Sequence, residues 1–267
     1  MASRLFSHGD LILQFTRREM EMRHKGSRLG HAWALLRPLT LLGLYLFVFG
    51  FIFGGRFGVM PGETTFDFAV ALFLSLSFYG VISEAMSVAP TLVLSQPNFV
   101  KKVVFPLEIL SVSSVATSLY HGLISIVVAL LIALLGHRTL SWDAVIFVPA
   151  LLVPLALMSL GISWGLAAIG LFLRDIGQLI PFLANALIYA SAVVYAPSKV
   201  AQSAPAAWAV LRFNPLLWLM DESRRVILWH QAPNYPIWAY LYGTSAVIAA
   251  AGYAIFVVLR PFFAEVI

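Results

Sequence analysis

Three patterns in the 267-residue sequence invite a chemical reading. Gly161-Ile162-Ser163-Trp164-Gly165 has the G-x-S-x-G spacing of a nucleophilic serine. That chemistry needs a strand-to-helix turn to lift the hydroxyl and a histidine to take its proton. The pentapeptide instead lies within 30 uncharged residues between Asp143 and Arg174, and only His230 follows it. Its small residues are therefore expected to serve close helix packing. The six histidines are scattered without metal-ligand spacing, and cysteine is absent, so no metal site, disulfide or thiolate chemistry is expected. No G-x-x-x-x-G-K-[ST] loop is present to cradle nucleotide phosphates. No catalytic residue and no cofactor of this chain are expected.

The polar residues that remain are conspicuous because their surroundings are so apolar. Of all residues 61% are hydrophobic and 11% charged, against about 25% charged in soluble domains. This is the composition of a membrane protein. The net charge of +5 is not a nucleic-acid signal, because seven of the 17 Lys and Arg lie before residue 38 and flank apolar runs. No short apolar region with a small-residue cleavage site opens the chain, so a cleaved signal peptide is not expected.

A helix crossing the hydrocarbon needs about 20 largely apolar residues. Counting between charges places spans at 37–56, 68–90, within the 29 uncharged residues from Glu108 to Arg138, within the 30 from Asp143 to Arg174, at 178–196 and at 236–259. The expectation is an all-α integral membrane fold of six transmembrane helices in one domain, 1–267. His121 and Asn185, inside the third and fifth spans, are expected to hydrogen-bond between helices. Before the first span, 8–27 mixes Leu11, Ile12, Leu13, Phe15, Met20 and Met22 with Arg17, Arg18, Arg23 and Lys25. That composition suits an amphipathic helix lying in the headgroup plane.

With the amino terminus inside, the inner segments hold those seven cations plus Lys101, Lys102, Arg174 and Arg260, which favours both termini in the cytoplasm. The segment between spans five and six breaks the rule, because Lys199, Arg212, Arg224 and Arg225 all face outward. Its apolar pieces of about ten residues, interrupted by Asn214-Pro215 and by Asp221 and Glu222, are too short to span. They suit an outward-side re-entrant helical pair over 200–230, whose arginines must then be paired with Asp221 and Glu222. The alternative is a surface hairpin anchored by Trp208, Trp218 and Trp229.

Between spans two and three, Pro97 and Pro106 bracket a short basic unit carrying Lys101 and Lys102. On its own this reads either as an inside loop or as a docking helix. Several motifs together carry a resemblance. "RHKGSRLGHAWALLRPL" (23–39), "NFVKKVVFPLEIL" (98–110), "FLRDIGQLI" (172–180) and "FNPLLWLMDESRRVIL" (213–228) resemble, in order and spacing, polysaccharide-exporting ABC transporter permeases that move O-antigen, capsule or teichoic acid chains. One departure is Ala192-Val193, where many members of that family carry proline.

The resemblance implies a homodimer in the bacterial cytoplasmic (inner) membrane, two copies of a separate ATPase carrying ATP and Mg, and a lipid-linked glycan substrate. It implies that 97–106 is a cytoplasmic coupling helix engaging the ATPase through Asn98, Phe99, Lys101, Lys102 and Phe105. Arg28, Leu29 and Gly30 would meet the lipid-linked head group. Arg212, Asn214, Pro215, Asp221 and Arg224 would form the re-entrant gate. Because sugars offer flat apolar faces, aromatic platforms suit a glycan path, and Tyr45, Phe49, Phe53, Phe78 and Tyr79 are the candidates. Export of a drug or another lipid by a related transporter, or a non-transporting scaffold or enzyme subunit, are the other readings.

The topology is directly testable. Single cysteines at Gly62, Gln96 and Ser203 in this cysteine-free chain should react with an impermeant thiol reagent from outside, inside and outside respectively. Labelling of position 96 from outside would overturn the orientation.

Overall fold

The computed structural model describes residues 9–24, 32–59, 61–101, 105–135 and 143–267. The regular structure of those residues is all helical, with no strand among them. In chain order the α-helices are α1 (Gly9–His24), α2 (Trp33–Tyr45), α3 (Thr65–Val88), α4 (Pro97–Lys101), α5 (Glu108–Leu135), α6 (Asp143–Phe172), α7 (Ile176–Ala190), α8 (Pro197–Ser203), α9 (Pro205–Leu211), α10 (Pro215–Ile227), α11 (Tyr235–Leu259) and α12 (Phe263–Val266). Helix α2 runs straight into a π-helical segment, Leu46–Ile52.

Local chemistry sets several of these boundaries. Thr64 and Asp67 form a reciprocal capping box at the start of α3: the Thr64 hydroxyl accepts from the Asp67 N–H at 3.2 Å, and the Asp67 carboxylate accepts from the Thr64 N–H at 2.9 Å. Asn214 and Asn234 cap α10 and α11 by accepting from the Leu216 and Ile237 N–H groups, each followed by a proline in the first turn.

Among the described residues, four helices are long and apolar enough to cross a membrane: Thr65–Thr91, Glu108–Leu135, Ala144–Phe172 and Tyr235–Val266. They coincide with the expected second, third, fourth and sixth spans. The expected first and fifth spans correspond to shorter apolar helices, Pro38–Ile52 and Ile176–Ala190. Each ends early because the backbone turns out of the helix. Gly54 takes φ +58 after the π-helical segment, and Ala192 takes φ +54 after α7. The re-entrant pair expected over 200–230 is a run of three short helices, α8, α9 and α10, of 7, 7 and 13 residues.

Helix α3 occupies the middle of the bundle. Its apolar window is 72% buried, against 17% for that of α11, and it packs against α2, α5, α6, α7 and α10. One apolar core surrounds it. A second core at the opposite end gathers Phe105, Ile109, Trp164, Leu171, Phe256 and Phe263. The small residues of 161–165 pack α6 onto α11: a Cβ added at Gly161 would collide with the Ile248 backbone, and one at Gly252 with the Gly161 carbonyl. The two backbones therefore touch, as the sequence pattern suggests.

Gly252→Val should accordingly force α6 and α11 apart at a cost of about 1–3 kcal/mol or more, seen as a lowered Tm in detergent. Gly80→Ala, whose added methyl meets nothing within 4 Å, should leave the Tm unchanged or slightly raised.

Candidate functional site

Helix α7 determines the geometry of one end of the bundle. It runs beside α3, with the Tyr79 hydroxyl donating to the Ala184 carbonyl, and it stops at Ala190. There it lies level with Ser75, since one guanidinium donates both to the Ser75 hydroxyl at 2.9 Å and to the Ala192 carbonyl at 2.7 Å. Ser75 is ten residues into α3, roughly 15 Å along the helix from Thr65. The first turns of α3 thus extend well beyond the end of α7, and α10 packs into the space.

A helix end leaves its last four carbonyls without intrahelical donors. Side chains satisfy three of these four in α7: the Ser191 hydroxyl donates to Leu187 at 2.7 Å, the Tyr195 hydroxyl to Tyr189 at 2.5 Å and Asn214 Nδ2 to Ala190 at 2.8 Å. Arg224 then takes the carbonyls of the turn beyond, Ala192 at 2.7 Å and Tyr195 at 3.5 Å. Its guanidinium is fully buried, pairs with Asp221 at 3.3 Å, and lies 4.4 Å from the Phe57 ring centroid and 5.9 Å from that of Trp229. A cation among helix-terminal carbonyls and aromatic faces is favourably placed on both counts.

Two carboxylates support this arrangement. Glu63 accepts from the N–H groups of Phe57 and Gly58 at 2.8 and 2.6 Å, which fixes the loop carrying the ring under Arg224. Gly58 adopts φ +73 there, a conformation that suits glycine. Glu222, fully buried, accepts from Arg225 at 2.7 Å, Trp238 Nε1 at 2.7 Å and the Asn234 N–H at 3.2 Å, joining α10 to the start of α11. Lys199 donates to the Arg56 carbonyl. So the paired arginines are Arg224 and Arg225. Arg212, also expected to pair with these acids, is exposed, with its guanidinium carbon 4.8 Å from the Phe213 ring centroid, because it precedes Asn214 and lies outside α10.

The opposite end is built on aromatic contact. Phe15 of α1, Phe99 of α4 and Phe105 lie with ring centroids 4.7 to 5.5 Å apart. Helix α12 packs on α4, and Arg260 pairs with Glu108 at 2.5 Å. Asn98 and Lys101 are exposed on the outside of this unit. The helix expected over 97–106 is therefore a five-residue helix followed by an aromatic anchor.

The sequence profile of ABC-2 type transporters matches residues 10–228. The chain belongs to the ABC-2 transporter membrane family. It is 25% identical to the O-antigen export system permease protein RfbA of Myxococcus xanthus, over 98% of this chain and 96% of that one. Two such permeases of Klebsiella pneumoniae are 24% and 26% identical, each over 97% of this chain and 95% of their own length. This is a membrane permease subunit.

On the permease, the aromatic candidates separate into two groups. Tyr45, Phe49 and Phe53 form a ladder along α2 and the π-helical segment, with centroids 5.8 and 6.0 Å apart, and Phe53 is 72% exposed. Phe78 and Tyr79, expected to line a path, are instead packed in the core because α3 is enclosed on nearly every side. His121 contacts Glu84 at 3.1 Å, joining α5 to α3. Asn185 is exposed on α7 among the exposed apolar residues Phe182, Leu183 and Tyr189. Lys102, Arg28, Leu29 and Gly30 lie outside the described residues. Sequence reasoning missed Ser75, Ala192, Tyr195, Phe57 and Glu63. The available signals were a serine within the most apolar part of span two and an acid in a short loop.

Removing one side of a buried pair costs about 3–5 kcal/mol, so Arg224→Gln should lower the unfolding midpoint in mixed micelles sharply. Lys199→Gln, which loses one exposed hydrogen bond, should cost about 1 kcal/mol or less. Equal midpoints for the two variants would exclude the proposed role of Arg224.

Proposed function

We propose that this chain is half of an ATP-driven exporter that moves a lipid-linked polysaccharide across the bacterial cytoplasmic membrane. The observation that carries the proposal is end-to-end likeness to three O-antigen export permeases, without large insertion or truncation. The ladder of Tyr45, Phe49 and Phe53, half-buried at its first two rings and exposed at Phe53, fits a substrate built of sugar rings better than it fits a compact aliphatic drug.

The permease has six spans, the first and fifth short, and both termini are cytoplasmic. The three helices α8, α9 and α10 form the re-entrant region. Its gate residues are Arg212, Asn214, Pro215, Asp221 and Arg224. The depth of Arg224 beside Ser75 supports this, as does its pairing with Asp221, since a charge at membrane depth needs a partner. A homodimer forms through α2 with its π-helical continuation and α7, whose exposed faces carry Leu44, Phe47, Phe51, Phe182, Leu183 and the polar Asn185. A polar side chain on such a face favours a helix partner over lipid. The glycan path lies at this seam, and Arg28, Leu29 and Gly30 meet the head group at its inner mouth.

Two ATPase subunits, which bind ATP and Mg, dock below. Asn98 and Lys101 face them from α4, with Lys102 beside them in sequence, while Phe99 and Phe105 turn inward onto Phe15. A push on α4 is thereby transmitted to α1 through the shared aromatic contacts, and to α5 through Phe105, which precedes it.

Deleting the gene in its own host should abolish the surface glycan and leave lipid-linked glycan at the cytoplasmic face. Wild-type permease should restore export. Lys101→Glu combined with Lys102→Glu should insert normally yet fail to co-purify with the ATPase or to export. Normal surface glycan in the deletion strain would overturn the substrate, and normal ATPase association of the double mutant would overturn the coupling assignment.

A further inference from the structure

Resting on the reading that α8, α9 and α10 lie at the outer leaflet, we propose that the groove between the α9–α10 turn and α11 holds an acyl chain of an anionic phospholipid whose phosphate sits on Arg212. The groove has a volume of about 450 Å³ and is lined by Phe213 and Pro215 on one side and by Tyr240, Gly243, Thr244 and Val247 on the other. The α11 residues recur at three- and four-residue spacing, so they form one stripe of that helix.

The polar groups of the groove are already satisfied. The Tyr240 hydroxyl donates to the Phe213 carbonyl at 2.6 Å, and the Thr244 hydroxyl donates to the Tyr240 carbonyl at 2.7 Å. What the walls have left to offer is apolar contact. Gly243 adds depth, since a Cβ there would meet nothing within 4 Å.

The charge comes from the rim. Arg212 stacks on the Phe213 ring that forms one wall. Of the four cations in this segment, Arg224 and Arg225 are paired with Asp221 and Glu222, and Lys199 holds the Arg56 carbonyl. Among the described residues Arg212 has no carboxylate within ion-pair distance. Trp218 Nε1 donates to the Arg212 carbonyl at 2.7 Å, and Trp208 meets Trp218 edge-on at 5.7 Å. Tryptophan favours the headgroup level. An unmatched cation at that level, beside an apolar groove open to the side, selects a phosphate attached to a hydrocarbon chain. The counter-charge also offsets the cost of an arginine that the charge rule would place inside. The described lining of the groove includes no residue of α2 or α7, whose faces are assigned to the dimer, so a resident membrane phospholipid is the occupant.

The permease reconstituted in nanodiscs of phosphatidylglycerol and phosphatidylcholine in equal parts, then released for native mass spectrometry, tests this. Wild type should retain phosphatidylglycerol preferentially. Arg212→Gln should reduce that preference about fivefold, the value of one interfacial cation. Gly243→Phe should reduce retention of both lipids, and Gly243→Ala, a folding control, should retain them as wild type does. Equal retention of the two lipids by wild type, or an unchanged preference in Arg212→Gln, would overturn the proposal. So would displacement of phosphatidylglycerol by stoichiometric polyprenyl phosphate, which would assign the groove to a substrate carrier. The readout is binding, so failure of the export reading would leave it interpretable.

Discussion

A helix that ends against an apolar neighbour must have its terminal carbonyls satisfied by something other than water, and the end of α7 imposes that condition on one whole end of this permease. Ser191, Tyr195, Asn214 and Arg224 converge on the carbonyls from Leu187 to Tyr195. Burying a guanidinium costs several kcal/mol. The site offsets this with two carbonyls, the Ser75 hydroxyl, the Asp221 carboxylate and two aromatic faces. Because the acceptors come from α3, the turn after α7 and α10, meeting the condition also fixes where those three elements sit. The backbone around Phe57 follows, since Glu63 holds it beneath the guanidinium.

The opposite end has one ion pair, Arg260 with Glu108, and is otherwise held by a different kind of force. Phe15, Phe99 and Phe105 offer edge and face contact with little directional demand. Apolar clusters of this kind tolerate sliding better than a hydrogen-bonded charge does. One end of the molecule is therefore fixed by geometry and the other by area, and α3 and α5 run between them.

The sequence made the membrane character, the all-helical class and the order of apolar segments readable because each depends on composition and length alone. The pairing of Arg224 with Asp221 and Arg225 with Glu222 was also readable, since i and i+3 on a helix share a face. The early end of α7 was not. Residues 191–196 are as apolar as a span, and hydropathy cannot register a single left-handed residue. The same limit hid Ser75 and the Ala192 carbonyl as partners of Arg224, because both contacts join residues at least 32 positions apart. Phe78 and Tyr79 looked like path residues because aromatic type carries no information about which face of a span is enclosed. Their burial follows from the central position of α3, a property of the assembled bundle.

Ala192 is where these strands of argument meet. Its φ of +54 is a left-handed conformation that costs an alanine about 1–2 kcal/mol. The residue is fully buried, and its carbonyl accepts the shortest hydrogen bond made by Arg224. The local strain is thus tied to the best contact of the buried cation, and neither is retained without the other. A proline at 192 could not reproduce this turn, because its ring holds φ near −65°. Where many members of the resembled family carry proline in this stretch, this permease uses a left-handed alanine to turn the chain. The end of its fifth apolar segment is consequently shaped by a backbone conformation and an arginine acting together, so that changing either one alone leaves the other in an unfavourable state.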